Sequence, residues 1–148
     1  EQLFILYSDL DLRLIDCQTA DQLLDCLYQA TTELLSLSGL KLWLNKTVEL
    51  SHDSLIAEDC SDIMHSRLQF DEYYFGRLQQ AEQCKIFADV SDGSVVLIKL
   101  QHSEQSLGFL AISSQDAEHF DPRMDTLLLS QFRKLVAKLI HQQLFAAP

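Results

Sequence analysis

The sequence has few of the residues that interrupt regular structure, with four glycines and two prolines among 148 residues. That scarcity excludes collagen-like, low-complexity and linker-dominated chains. Unbroken apolar runs are short, as at 95–98 and 127–129, and none approaches the ~20 residues of a membrane-spanning helix. With 47% hydrophobic residues, the chain has the length and composition of one globular domain.

Positive charge is scarce as well. Eleven Lys and Arg oppose 22 Asp and Glu, which gives a formal net charge of −11. Residues 126–148 contain three basic residues and no acidic one, so residues 1–125 carry a net charge of −14. Because such a surface repels the phosphates of nucleic acids and of anionic lipids, we expect no nucleic-acid partner and no membrane partner.

The four cysteines lack the paired spacing of a zinc site, and the five histidines include no HxxxH pair. Cys17 and Cys26 stand among mostly apolar neighbours, where free cysteine is a common small core residue. A chain with this much apolar material does not need a disulfide framework. We therefore expect a cytoplasmic protein with four free thiols and no metal.

The first fifteen residues predict a helix that pairs with another helix. Its apolar residues recur at spacings of four and three, at Leu3, Tyr7, Leu10 and Leu14. Because the chain begins with Glu1 inside this pattern, we expect residues 1–15 to be the end of an upstream helix from a longer protein.

A second helix is expected to begin at a capping box, in which Thr19 and Gln22 satisfy free amides of the first turn. Leucines follow at helical spacing as far as Leu35, and Gly39 is the expected stop. Residues 40–45 then alternate between apolar and polar, which predicts a half-buried strand.

The middle of the chain predicts short elements: weaker strands at 47–50 and 54–57, a helix at 61–69, a strand at 72–75 and a helical or irregular segment at 78–87. The clearest sheet signal follows them. Residues 94–101 and 106–113 alternate on either side of four polar residues, which predicts an antiparallel hairpin.

The closing helix is expected to begin with Asp121 as N-cap and Pro122 at its first position, and to extend to residue 147. It carries two adjacent apolar stripes, the first made of Leu128, Phe132, Leu135 and Leu139 and the second of Leu129, Val136 and Ile140. We expect one stripe to cover the sheet and the other to contact a partner helix. The order of elements predicts a single α+β domain over residues 1–148, with an antiparallel sheet, N-terminal helices and a long C-terminal helix packed on one side.

Five segments resemble a bacterial family, domain of unknown function 484, which has a GAF-like fold. They are residues 74–78 (YFGRL), 85–87 (KIF), 93–100 (GSVVLIKL), 107–114 (LGFLAISS) and 116–126 (DAEHFDPRMDT). The resemblance to GAF domains extends over the whole chain. GAF domains usually bind a small molecule between the sheet and the connections that cross it, and they often dimerise through flanking helices.

The resemblance implies a non-enzymatic module for small-molecule sensing or signalling, which forms a homodimer through helices 1–15 and 122–147. It places the ligand-binding residues at Trp43, His65, Phe75, Gly76, Arg77, Cys84, Phe87, Ser94 and Val96. The Arg77 guanidinium would hold a carboxylate or phosphate by two hydrogen bonds, or else would pair with Asp71 or Glu72 at the surface. The family resemblance identifies neither the ligand nor a cofactor.

Two other functions remain open at this point. Lys85 follows Cys84, and a nearby cation lowers the pKa of a thiol. A thiol-dependent reductase of the methionine-sulfoxide type, with Cys60 as the second thiol, is therefore an alternative to a structural Cys84. The other alternative is an adaptor that holds a protein partner with its terminal helices. The sequence contains neither a glycine-rich phosphate loop nor a nucleophile elbow, which favours a protein that is not an enzyme.

Overall fold

A computed structural model describes residues 2–30, 39–46, 52–56, 58–87, 93–114 and 127–145, with side chains described from residue 8 and, in the last segment, from residue 129. Its helices are α1 (Gln2–Ile15), α2 (Ala20–Gln29), α3 (Ser61–Leu68), α4 (Gln80–Phe87) and α5 (Leu127–Ile140), and a π-helical turn, His141–Phe145, follows α5. Its strands are β1 (Gly39–Leu44), β2 (Tyr73–Gly76), β3 (Ser94–His102) and β4 (Gln105–Ser114). The α+β class is confirmed. No helix among the described residues has the length and apolarity needed to cross a membrane.

The strands form one antiparallel sheet in the order β1-β4-β3-β2. The predicted hairpin is confirmed as β3 and β4. Its turn has only two central residues, Ser103 and Glu104, both with positive φ (49° and 69°). That backbone shape matches the twist of paired strands, so the strands extend closer to the turn than the polar stretch suggested.

The outer edge of β1 is covered by a neighbouring segment. The Leu42 amide donates to the Ser54 carbonyl at 2.7 Å, and the Ile56 amide donates to the Leu42 carbonyl at 2.9 Å. These bonds make one parallel bridge between Leu42 and Leu55 in place of the predicted strand at 54–57. The predicted strand at 47–50 lies outside the described residues.

Side chains alternate across the sheet, so the core has two parts. The long-helix face packs against α1, α2 and α5, and its strand residues include Leu42, Val96, Ile98, Leu110 and Ile112. The short-helix face packs against α3 and α4, and its strand residues include Trp43, Val95, Leu97, Phe109 and Ala111. The two faces therefore differ in the helices that cover them.

The described part of α5 buries most of its two apolar stripes within the chain, while Leu135 of the first stripe is only partly buried. Phe132 and Leu139 of the first stripe and Val136 and Ile140 of the second are all 9% exposed or less. Leu10 and Leu14 of α1 are buried in the same core, and α1 packs directly on α5. In this single chain α1 therefore occupies part of the surface of α5 that was expected to meet a partner helix, and the contact between copies stays a prediction.

The structure also locates the ends of the predicted helices. Thr19 Oγ1 accepts from the Gln22 amide at 3.2 Å, as expected, while Gln22 Oε1 accepts from the Gln18 amide at 2.9 Å. Gly39 is the first residue of β1, and residues 31–38, through which the second helix was expected to continue, lie outside the described residues. The predicted start of the closing helix at Asp121 lies outside the described residues.

Candidate functional site

The nine residues predicted to bind a ligand do not converge on one place. Trp43 and Phe87 belong to the short-helix face, whereas Val96 and Phe75 are paired in the sheet and lie on the long-helix face. Ser94 is buried at the start of β3, on the same face as Val96 by strand alternation. The long-helix residues are part of the main apolar core, so we do not assign them to a site.

Three more of the predicted residues are exposed: His65 on α3, Arg77 after β2 and Cys84 on α4. One alternative for Arg77 was an ion pair with Asp71 or Glu72 at the surface. Glu72 instead pairs with Arg133 of α5, at 3.2 Å. Gly76 closes β2 with φ +139°, a backbone region that favours glycine. Gly76 and Phe87 both lie at one end of the short-helix face.

At that end, one residue from each of the four strands lies in a row across the sheet. These four residues have little side-chain volume. Strand register pairs Gly39 with Ser113, Ser113 with Val95, and Val95 with Gly76. Because paired residues point to the same side of the sheet, this row lies on the short-helix face. We call Gly39, Ser113, Val95 and Gly76 the small-residue row.

The helix α4 covers this row. Gln83 and Ile86 are its buried residues, at 4% and 2% exposure, and Phe87 follows them on the same side of the helix. A Cβ placed on Gly39 would lie 3.7 Å from the Phe87 ring and 3.1 Å from Ser113 Oγ. The Phe87 ring and the Ser113 hydroxyl therefore lie against Gly39, and Gln83 is a buried polar residue on the same side of α4 as Phe87.

Tyr74 limits the row on the β2 side. Its hydroxyl would be 3.5 Å from a Cβ on Gly76, and it donates a hydrogen bond to the Arg77 carbonyl. The Arg67 guanidinium also lies over the Tyr74 ring, 4.7 Å from the ring centroid. Arg77, the next residue after Gly76, has an exposed side chain.

An ion pair joins the two short helices. Arg67 of α3 donates from Nε and Nη2 to the two carboxylate oxygens of Glu82 on α4, at 3.1 and 2.8 Å. The hydrogen bonds from Arg67 lower the pKa of Glu82, and the bonds to Glu82 raise the pKa of Arg67. Glu82 also accepts from the Gln79 amide at the start of α4. The pair thus fixes how α4 sits above the sheet.

The thiols considered for catalysis have unlike surroundings. Cys60, at the start of α3, is fully buried, and burial raises its pKa to about 11. Cys84 is exposed on α4. A catalytic thiol needs a lowered pKa and access to substrate, which a buried Cys60 lacks. Among the described residues, no three His, Cys, Asp or Glu side chains are grouped to hold a metal ion.

Sequence reasoning missed Gly39, Ser113 and Gln83. The sequence pattern places Ser113 only as the last residue of the second hairpin strand, and Gly39 as the expected stop of the second helix. The one available signal was along β4, where Phe109 is followed at alternate positions by the small residues Ala111 and Ser113. That pattern indicates a part of one face with little side-chain volume. The cross-strand register that unites the row cannot be read from any single segment.

Comparison with known families agrees with the resemblance to domain of unknown function 484 noted above. The family model described as "Protein of unknown function, DUF484" matches residues 1–144. No curated protein matches the chain significantly. The matched range includes β1 to β4, α4 and every residue of the small-residue row. Since this model extends over nearly the whole sequence, the chain belongs to the DUF484 family.

Proposed function

We propose that this chain is a non-enzymatic, GAF-like module that senses a small molecule bound between α4 and the small-residue row. The observation that carries the proposal is the row itself, in which two glycines, a serine and a valine span four strands beneath a short helix. GAF domains, which the sequence resembles, bind their ligands between the sheet and the connections that cross it. The row likewise lies between the sheet and α4, which belongs to the connection from β2 to β3.

The lining of the row suggests the chemistry of the ligand. Gln83 and Ser113 supply hydrogen-bonding groups, Phe87 supplies an aromatic surface, and all three lie on one side of the sheet. Arg77, just beyond Gly76, would pair with an acidic group at the end of the molecule. The ligand expected here is therefore small, partly apolar and acidic at one end.

Native mass spectrometry of the purified chain tests this proposal. We expect a bound small molecule on the wild type, and its loss in Ser113→Leu, because the larger side chain would occupy the position proposed for the ligand next to Phe87. Ser61→Leu is the matched control, since Ser61 is exposed on α3. An added mass kept by Ser113→Leu would contradict this position. So would a wild type that carries no added mass and shows no NMR shifts at Ala111 in a fragment screen.

The dimer that the family resemblance implies would use α1. Leu12 and Ile15 are 65% and 57% exposed and lie three residues apart, so they share one face of that helix. Among the terminal-helix side chains that the structure describes, these two are the exposed large apolar residues, so this face is the one we assign to contact with a second copy. Sedimentation should give a dimer that Leu12→Glu dissociates and Arg13→Glu does not. A wild-type monomer at high micromolar concentration would overturn this part.

The absence of enzyme activity is likewise our proposal. The buried Cys60 and its raised pKa oppose a reductase that uses Cys60 with Cys84. We expect no reduction of free methionine sulfoxide above background when dithiothreitol is the reductant. Turnover that Cys84→Ser abolishes would favour the reductase instead.

A further inference from the structure

The end of α1 brings two thiols together. Cys17 follows the last turn of α1, where its amide donates to the Leu14 carbonyl at 3.1 Å. Its Sγ lies 3.5 Å from the carbonyl oxygen of Gln22, which is one helical turn before Cys26 in α2. Because a helical side chain leans towards the N-terminus, the Cys26 thiol lies over that same turn. The two side chains therefore lie near each other at the junction of α1 and α2, and both pack against the core of the long-helix face.

We propose that Cys17 and Cys26 form an oxidisable dithiol, and that the disulfide between them fixes the end of α1 to α2. Both side chains are partly buried against the core of the long-helix face, so they are held in place and still accessible. The other two cysteines differ from them, since Cys60 is buried and Cys84 is exposed on separate helices. A disulfide here would change the one helix whose exposed face, Leu12 and Ile15, we assign to the dimer.

A low-molecular-weight disulfide, such as glutathione disulfide, is a sufficient oxidant. The Cys17 thiolate attacks one glutathione sulfur, the S–S bond of the oxidant breaks, and one glutathione leaves. The Cys26 thiolate then attacks Sγ of Cys17, which forms the protein disulfide and releases the second glutathione. The two protein thiols are oxidised, glutathione disulfide is reduced to two thiols, and their protons are carried by the released glutathiones.

The surroundings of the pair determine the order and the speed of these steps. The interaction between the two thiols offsets part of the rise in the pKa of Cys17 and adds to the rise in the pKa of Cys26, which favours the Cys17 thiolate as the first nucleophile. Burial raises the pKa of both thiols, that of Cys26 to about 11. The thiolate is therefore scarce at neutral pH, and we expect slow oxidation that speeds up about tenfold per pH unit between pH 7 and 9.

Mass spectrometry after incubation of the whole chain with glutathione disulfide tests the pairing. In the Cys60→Ser/Cys84→Ser background, which removes the exposed thiol that would itself bind glutathione, we expect the chain to lose two hydrogens through an intramolecular disulfide. Adding Cys17→Ser or Cys26→Ser to that background should instead leave a single glutathione adduct on the remaining thiol of the pair. The wild type should form the same Cys17–Cys26 bridge. Three outcomes would each overturn the proposal. The first is glutathione adducts on both Cys17 and Cys26 without a bridge, and the second is a bridge to Cys60 or Cys84. The third is a native chain that forms no bridge under conditions in which the denatured chain forms one.

Hydrogen exchange tests whether the disulfide restrains α1. In the oxidised chain, amides in peptides covering residues 10–30 should exchange more slowly than in the reduced chain, while those of β3 and β4 should not change. Cys17→Ser under the same oxidant is the control, and its exchange should stay at the reduced level. Equal exchange in the oxidised and reduced wild type would refute the restraint of α1, even if the disulfide forms.

Discussion

The two faces of one sheet are covered in different ways. The long-helix face lies under α1 and α5, each of 14 residues, and α2, of ten residues. The short-helix face lies under α3 and α4, each of eight residues, which an ion pair joins. Since local stability follows the amount of apolar packing, we expect the first face to hold the fold together and the second to open more easily.

The largest expected effect is a truncation on the long-helix face. Phe132 of α5 is 2% exposed within the main core. We expect Phe132→Ala to lower the free energy of unfolding by about 3–5 kcal/mol, through lost burial and the cavity that remains. Urea denaturation measures the loss, and Phe70→Ala, at an 89% exposed site, should stay within about 0.5 kcal/mol of wild type. A loss below about 1 kcal/mol for Phe132→Ala would contradict the stabilising role of this face.

A truncation under α4 should have a smaller and more local effect. Ile86 is 2% exposed in the core of the short-helix face. We expect Ile86→Ala to cost about 2 kcal/mol, because a short helix can settle partly into the space left behind. Hydrogen exchange should speed up in α4 and stay unchanged in α5. Cys84→Ala, at an exposed position of the same helix, is the control; if exchange in α5 rises as much as in α4, the two faces are not independent.

The ion pair between α3 and α4 gives a pH-dependent comparison. Hydrogen bonds from Arg67 hold the folded pKa of Glu82 below its ordinary value of 4.5. The pair therefore stabilises the fold fully above that value, and its contribution disappears as the pH falls through the lower folded pKa. We expect Glu82→Gln to cost about 1–2 kcal/mol at pH 7, and the difference from wild type to shrink below about pH 4.5.

The matched control for that pair lies on α1. Asp9 and Arg13 form an ion pair at 3.3 Å, but both side chains are about half exposed (51% and 52%). Asp9→Asn should therefore cost less than about 0.5 kcal/mol at pH 7. Urea denaturation of both variants across the pH range makes the comparison. Equal losses for the buried and the exposed pair would show that burial between α3 and α4 adds nothing.

Local patterns predicted the elements of the fold well. The strict alternation after residue 93 identified the hairpin, and the capping residue Thr19 marked the start of α2. Tertiary packing was harder to infer. The two stripes of α5 looked like one surface for the sheet and one for a partner, because nothing in the sequence tells that α1 folds back onto α5. Similarly, only the folded sheet explains why residue 108 is a glycine: a Cβ on Gly108 would lie 2.0 Å from the Trp43 carbonyl oxygen.

The candidate site was predicted only in part, for the same physical reason. Family resemblance pointed to Gly76 and Phe87, which do lie at the small-residue row. It also pointed to Val96, which strand alternation places on the opposite face from Val95. Gly39 and Ser113 join the row through pairing between strands 74 residues apart in sequence. Such register depends on the whole sheet, so a single segment does not reveal it.

The smallest expected effect lies in the small-residue row itself. Gly39→Ala places a methyl group 3.1 Å from Ser113 Oγ, which is a tight contact, while the loss of a glycine makes the unfolded chain less flexible. Because these effects oppose each other, we expect a net change below about 1 kcal/mol. Ser113→Ala removes the oxygen that the new methyl group meets. Gly39→Ala should then be less costly in the Ser113→Ala background by about 0.5 kcal/mol, and urea denaturation of the four proteins measures that coupling. A coupling of zero would mean that the row already has free space beneath Phe87. In that case a ligand would enter without moving α4, and the short-helix face would differ from the long-helix face in packing as well as in stability.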